Sequence, residues 1–256
     1  MNDEGIVAQP VNALDQLPVR KGFRMRGMAT TRLETFTDAA FAFALTLLVL
    51  ASDIPTSYDE LMVALGGVPA FIMSATLLMM FWTAHHSWSR RYGLEDVPAI
   101  LISCLLVFTV LVYVYPLRFL FNSMMEWLSY LLGVPSTGPP VSMRPEQVNS
   151  LFVVYGIGFI AMCGSILLLN IHSWRRREAL QLDELECFDT RTEIEAWSIV
   201  GGVGVLSTVL ALLNPPTILG LPGWTYSTLA VIMPLHGRRV QRRRDRLRAR
   251  LADSGE

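Results

Sequence analysis

Apolar residues gather in six long stretches separated by short polar or Pro/Gly-rich segments. They run over Leu33–Ser52, Leu61–Trp88, Pro98–Phe121, Leu151–Ile171, Ala196–Leu213 and Leu219–Leu235. A helix needs about 20 largely apolar residues to cross a bilayer core, and the second, third and fourth stretches meet that length. The fifth and sixth are shorter and interrupted by Gly and Pro, so a re-entrant hairpin at Asn214-Pro215-Pro216 competes there with two full crossings. The first stretch stands apart. It carries Arg32, Thr37 and Asp38 near its start and Thr46 near its middle. An ionisable group at membrane depth is costly and marks function, so this helix reads as the wall of an ion pathway.

Charge placement turns the six stretches into a topology. Arg20, Lys21, Arg24 and Arg26 precede the first, Arg90 and Arg91 follow the second, and Arg175–Arg177 follow the fourth. Eight arginines crowd Arg238–Arg250 after the sixth. With six crossings all of these clusters fall on one side, the positive-inside pattern of a multi-pass inner or plasma membrane protein with both termini cytoplasmic. The expected division is a cytoplasmic lead over 1–30, an all-α membrane domain over 31–236 and a basic tail over 237–256. The first residues lack a signal-peptide pattern and read as a disordered lead. The loop Gly133–Pro145 is expected to lack regular structure, and Glu178–Glu195 to continue as helix beyond the bilayer.

Composition agrees. The 256 residues are 52% hydrophobic and 17% charged, with mean hydropathy +0.41, where soluble domains are about a quarter charged. Cys104, Cys163 and Cys187 have neither metal-ligand spacing nor an obvious pairing. No nucleotide loop, catalytic triad or paired intramembrane carboxylates occur, so no enzyme chemistry and no cofactor is expected.

Finer patterning divides the first helix into faces. Thr31 and Glu34 have capping-box spacing. Phe36, Phe43 and Leu50 recur at sevens, with Ala39 and Thr46 on the adjacent line. Such a narrow stripe suits meeting copies of itself around an axis, although a lipid-facing or core stripe has the same spacing. Asp38 lies off the stripe and must find partners on a neighbouring helix or protonate. Trp82, His85 and His86, on adjacent turns of the second stretch, are the candidates; interfacial anchoring at headgroups is the plainer alternative. His85 and His86 point apart and no third ligand is evident, so no metal site is expected. Arg118 reads as snorkelling to headgroups. The arginine tail is a topology determinant drawn to anionic lipid, with no nucleic-acid role.

Arg32-x-x-x-Phe36-Thr37-Asp38, followed by AAFAFALTLLVLASDIP and by Phe-Trp-Thr-Ala-His85-His86, resembles the transmembrane protein 175 family of potassium channels. The likeness is clear over Arg32–Arg91 and looser beyond. It implies six-helix subunits assembled as homotetramers, the first helices of four subunits surrounding the pore without a TVGYG filter. It also implies an apolar constriction at Phe43, a polar ring at Thr46 and an apolar layer at Leu50. Arg32, Phe36, Thr37, Asp38, Trp82 and His85 would pack behind them, and potassium would be bound only in transit. Two departures are visible: Thr37 stands where the family has serine, and Phe43 where it has isoleucine or leucine. The function implied is a potassium-permeable leak-type channel. A proton-coupled secondary transporter, which would call for an internal repeat, and a non-conducting membrane scaffold are the alternatives.

Overall fold

A computed structural model describes residues 16–50, 54–213 and 220–253. The first part of the expected disordered lead, the end of the first apolar stretch and the Asn214-Pro215-Pro216 hairpin lie outside the described residues. A two-residue hairpin, β1 (Val19–Arg20) paired antiparallel with β2 (Phe23–Arg24), opens the fold. Eight helices follow among the described residues: α1 (Arg32–Leu50), α2 (Tyr58–Gly66), α3 (Val68–Tyr92), α4 (Val97–Leu132), α5 (Pro145–Arg175), α6 (Glu184–Leu213), α7 (Leu221–Ser227) and α8 (Leu229–Asp253). Five of these, all but α2, α7 and α8, are long and apolar enough to cross a membrane.

The hydrophobic pattern locates most of these elements, and the differences have local causes. The second stretch is two helices. Ser57 caps α2 by accepting from Glu60 N, and Gly67 with Pro69 ends it and starts α3; a proline in the first turn cannot continue a preceding helix. Helix α4 runs 11 residues past the expected Phe121, to the left-handed cap Gly133. From Gly133 to Arg144 the chain has no regular structure, as its Pro/Gly content requires. The acidic stretch after α5 turns at Arg176–Gln181 before α6 begins at Glu184.

The expected sixth span is not one helix. Helix α7 ends at Ser227, with Thr228 as its C-cap, and α8 continues without interruption from its apolar start through Pro234 into the arginine-rich tail. The pair runs back along α6. Ser207 Oγ donates to Pro222 O near one end, and Arg244 pairs with Asp189 near the other.

The core lies between α1, α3, α4, α5 and α6 and mixes aliphatic side chains with a set of packed aromatic rings. Phe81 packs against Phe159 and Trp197, and Trp88 Nε1 donates to Ser173 Oγ at 2.8 Å. Helix α5 approaches its neighbours through glycines. A Cβ on Gly156 would collide with Thr208 Oγ1, and one on Gly158 with the Tyr113 ring. Small residues permit such close backbone approach where apolar surroundings give helices no hydrophobic reason to associate.

On the charged side the β1–β2 hairpin is clamped to α6. Glu186, fully buried, accepts from Arg24 N and Nε and forms ion pairs with both Arg24 and Arg26 at 2.8 and 2.7 Å. The segment that follows the first residues is therefore ordered ahead of α1, by a contact that short-range patterning does not reveal.

Candidate pore helix and its polar anchor

Helix α1 has one buried face and one open face. Glu34, Thr37, Phe41, Ala44 and Leu48 are buried, following the three- and four-residue steps of a single helical face. On the opposite side Phe36, Ala39, Phe43, Thr46 and Leu50 are exposed, Phe43 by 56% and Leu50 by 65%. These five are the residues of the sevenfold stripe. The Thr46 hydroxyl donates to Ala42 O at 3.0 Å, so its hydrogen is turned back onto the helix.

The buried face is fastened at both ends. Thr31 Oγ1 accepts from Glu34 N at 3.1 Å, which is the capping interaction expected of Thr31. The reciprocal half of the box is not formed. The Glu34 carboxylate turns inward instead, to 3.2 Å from His86 Nδ1 and 3.1 Å from Arg90 Nε on α3. One turn on, Trp82 Nε1 donates to Asp38 Oδ1 at 2.8 Å, and the Trp82 ring stacks on His86 at 5.4 Å. Asp38 therefore finds its partner on the neighbouring helix. At the far end Arg118 Nη1, on α4, donates to Leu48 O at 2.5 Å. The last carbonyls of a helix lack intrahelical partners and carry partial negative charge, which a guanidinium satisfies on both counts. Arg118 is thus tied to α1 rather than extended to headgroups.

The residues expected behind the stripe divide into two groups. Thr37, Asp38, Trp82 and His85 lie on the covered side. Thr37 Oγ1 bonds within its own helix to Leu33 O, and His85 Nε2 meets Ser103 Oγ of α4 at 2.9 Å rather than Asp38. Arg32 and Phe36 are exposed. Each is two residues from the buried Glu34, which at 3.6 residues per turn puts both on the opposite side of the helix. Among the described residues Arg32 forms no hydrogen bond or ion pair, so neither residue belongs to the anchor within one chain. Glu34 and Arg90 do belong to it, and the sequence reading misses them. Local spacing assigns Glu34 wholly to helix capping and Arg90 wholly to topology. An acid four residues before Asp38, on the same face, is the signal that could have found the first.

A separate polar junction holds the start of α4. Asp96 caps it by accepting from Ala99 N, and receives His172 Nε2 at 2.8 Å and Arg176 Nη2 at 3.2 Å from α5. Burial pushes the Asp96 carboxyl up, but hydrogen bonds from His172 and Ala99, with the His172 and Arg176 charges, outweigh it and leave it below the usual value.

The family model for the endosomal/lysosomal potassium channel TMEM175 matches residues 32–116, which span α1 to the middle of α4. A potassium channel of Marivirga tractuosa is 34% identical over 232 residues, covering 88% of this chain and 93% of that protein. The crystal structure of a variant of the potassium channel MtTMEM175, held by a nanobody–MBP fusion, superposes with a TM-score of 0.77 at 31% identity. It matches 88% of this chain and 100% of its own. A TMEM175 homologue from Chamaesiphon minutus gives a TM-score of 0.52 at 19% identity over 82% of this chain and 97% of its own, a likeness of fold alone.

Proposed function

The chain belongs to the TMEM175 family of potassium channels, a multi-pass membrane family, and on that premise we propose that it forms a potassium-permeable, leak-type cation channel. Four copies assemble around an axis with the open faces of their α1 helices lining the pore. Phe43 forms the hydrophobic constriction, Thr46 the polar ring and Leu50 a further apolar layer. The observation that carries this reading is the two-faced α1: Glu34 and Asp38 are turned to α3 while the stripe through Phe43 and Thr46 is left open in the chain.

The chemistry suits the assignment. A hydrophobic constriction gates by excluding water, and ringed oxygen ligands replace part of an ion's hydration shell. With its hydrogen committed to Ala42 O, each Thr46 hydroxyl has lone pairs left for a cation. Phenyl groups at Phe43 make a bulkier constriction than aliphatic ones. Six crossings per subunit are reached when α7 and the apolar part of α8 count as the sixth, since together they retrace α6. Both termini are then cytoplasmic, in the inner or plasma membrane. Arg238, Arg239, Arg242, Arg243, Arg246 and Arg250 of the tail are exposed and would meet the anionic leaflet at roughly 1 kcal/mol each.

Potassium flux through purified protein in liposomes tests the reading. Wild type conducts, Phe43→Ala conducts several times faster, and Thr46→Ala lowers the potassium-to-sodium permeability ratio. Absence of flux in both wild type and Phe43→Ala refutes the channel. An unchanged permeability ratio in Thr46→Ala refutes the role of the ring.

A further inference from the structure

We propose that Glu34 and Asp38 of α1 and His86 of α3 form a binding site for a divalent transition-metal ion of the Zn2+ or Co2+ class, which ties the pore helix to its support. One ligand atom from each of the three side chains lies within 4.8 Å of the others. The second, independent observation is Glu34 itself. Its side chain is 2% exposed, yet neither carboxylate oxygen has a hydrogen-bond partner, and the same holds for His86 Nδ1. The contacts of Glu34 Oε1 with His86 and Arg90 have ion-pair distances without hydrogen-bond geometry. A buried carboxylate without hydrogen bonds is expensive, and an ion coordinated by it removes that cost.

The donor set selects the class of ion. Two carboxylates and an imidazole suit zinc, cobalt and their neighbours, while magnesium and calcium prefer all-oxygen shells. Bonds of about 2.0–2.2 Å set tetrahedral ligand atoms about 3.3–3.6 Å apart, so a gap of up to 4.8 Å closes by about 1.2–1.5 Å, which side-chain rotation supplies. The surroundings already orient the ligands. Trp82 donates to Asp38 Oδ1, leaving Oδ2 for the ion, and its ring stacks on His86, the kind of supporting contact that fixes ligands around a metal. The His86 side chain is 35% exposed and provides the way in. Arg90 does not outweigh the acids. Its Nη1 is committed to Gly27 O and Met28 O at 3.1 and 3.0 Å, and with neutral imidazole the four side chains carry one net negative charge. The further ligands that spacing around the histidines does not supply come from α1.

The probe is Co2+ added to the purified full-length channel, followed by its visible absorption bands, with Zn2+ and Mg2+ as competitors. One Co2+ binds per chain, Zn2+ displaces it and excess Mg2+ does not. Glu34→Gln and His86→Ala each weaken binding at least tenfold, whereas Cys187→Ser and His236→Ala leave it unchanged. Because His86 is partly exposed, His86→Ala keeps the test decisive should Glu34→Gln fail to fold. No Co2+ bands in wild type, or bands of undiminished affinity in His86→Ala, overturn the proposal. Micromolar Zn2+ on the cytoplasmic side then slows potassium flux in wild type but not in His86→Ala. That last effect rests on the channel reading, while the absorption bands do not, so the two can fail separately.

Discussion

The Asp38–Trp82 bond is where the division of α1 into a fastened face and an open face can be measured. A hydrogen bond to a charged acceptor contributes about 1.5–3 kcal/mol, and the 2.8 Å separation places this one in the strong class. Asp38 sits six residues, about 9 Å, into α1, part-buried against α3, where water competes less than at the surface. Removing the indole N–H with Trp82→Phe therefore costs about 1.5–3 kcal/mol. At about 2–4 °C per kcal/mol for a chain of this size, the thermal midpoint falls by roughly 3–12 °C. Lost packing contributes to that shift as well, so a double-mutant cycle separates the two. Trp82→Phe, Asp38→Ala and their combination are each heated in detergent and the folded fraction followed by size-exclusion chromatography. Because the bond is lost only once, the combined variant is less destabilised than the sum of the singles, by about 1.5–3 kcal/mol. Coupling below about 0.5 kcal/mol, the level of independent sites, refutes the anchoring role of Asp38.

Two further outcomes follow from the charged side. Glu186→Ala leaves Arg24 and Arg26 without their shared carboxylate, and breaking a buried pair costs about 3–5 kcal/mol. Tryptic cleavage at Arg20, Lys21 and Arg24 then accelerates at least a hundredfold while α1–α6 stay intact; unchanged cleavage refutes the clamp. Asp96 governs acid sensitivity at the start of α4. Its folded value lies below the ordinary 3.8, so its contribution is complete above that value and is lost as pH falls through the folded value. Thermal stability of wild type, followed downward from pH 5, therefore drops below about pH 4 by no more than about 1 kcal/mol for this partly exposed group. Asp96→Asn, which retains the cap, lacks that component; an identical acid limb in both proteins refutes it.

How far each feature is legible in the sequence depends on the range of the contact that creates it. The spans α1, α3, α4, α5 and α6 announce themselves because a helix in lipid must be apolar along its whole length. The open stripe of Phe36, Ala39, Phe43, Thr46 and Leu50 is legible too, since residues seven apart share a face whatever surrounds them. The break at Gly67 has a local signature in Pro69 that the unbroken hydrophobic run obscures. The α7–α8 arrangement is harder. Its apolar length is divided between two helices, and it is the antiparallel contact with α6 that gives the pair its place. The clamp of Glu186 on Arg24 and Arg26 joins residues about 160 positions apart, and nothing in local spacing specifies such a pair. Glu34 is legible only in part: its spacing from Thr31 points to a cap, and its spacing from Asp38 to a shared face.

The anchoring of α1 also limits how its open face can move. The helix is held toward its N-terminal end by Asp38 on Trp82 and toward its C-terminal end by Leu48 O on Arg118, two contacts about 15 Å apart along a helix rising 1.5 Å per residue. Sliding along the axis would break both at once. Rotation large enough to turn Phe43 away from the open side would carry Asp38 off Trp82, because Phe43 and Asp38 ride on one rigid helix. Small tilts and Phe43 rotamer changes break neither contact. The constriction proposed at Phe43 would therefore open at low cost by side-chain rearrangement or by movement of α1 together with α3 and α4. Turning α1 alone requires giving up a charge-assisted hydrogen bond, and that cost is what the Asp38–Trp82 cycle measures.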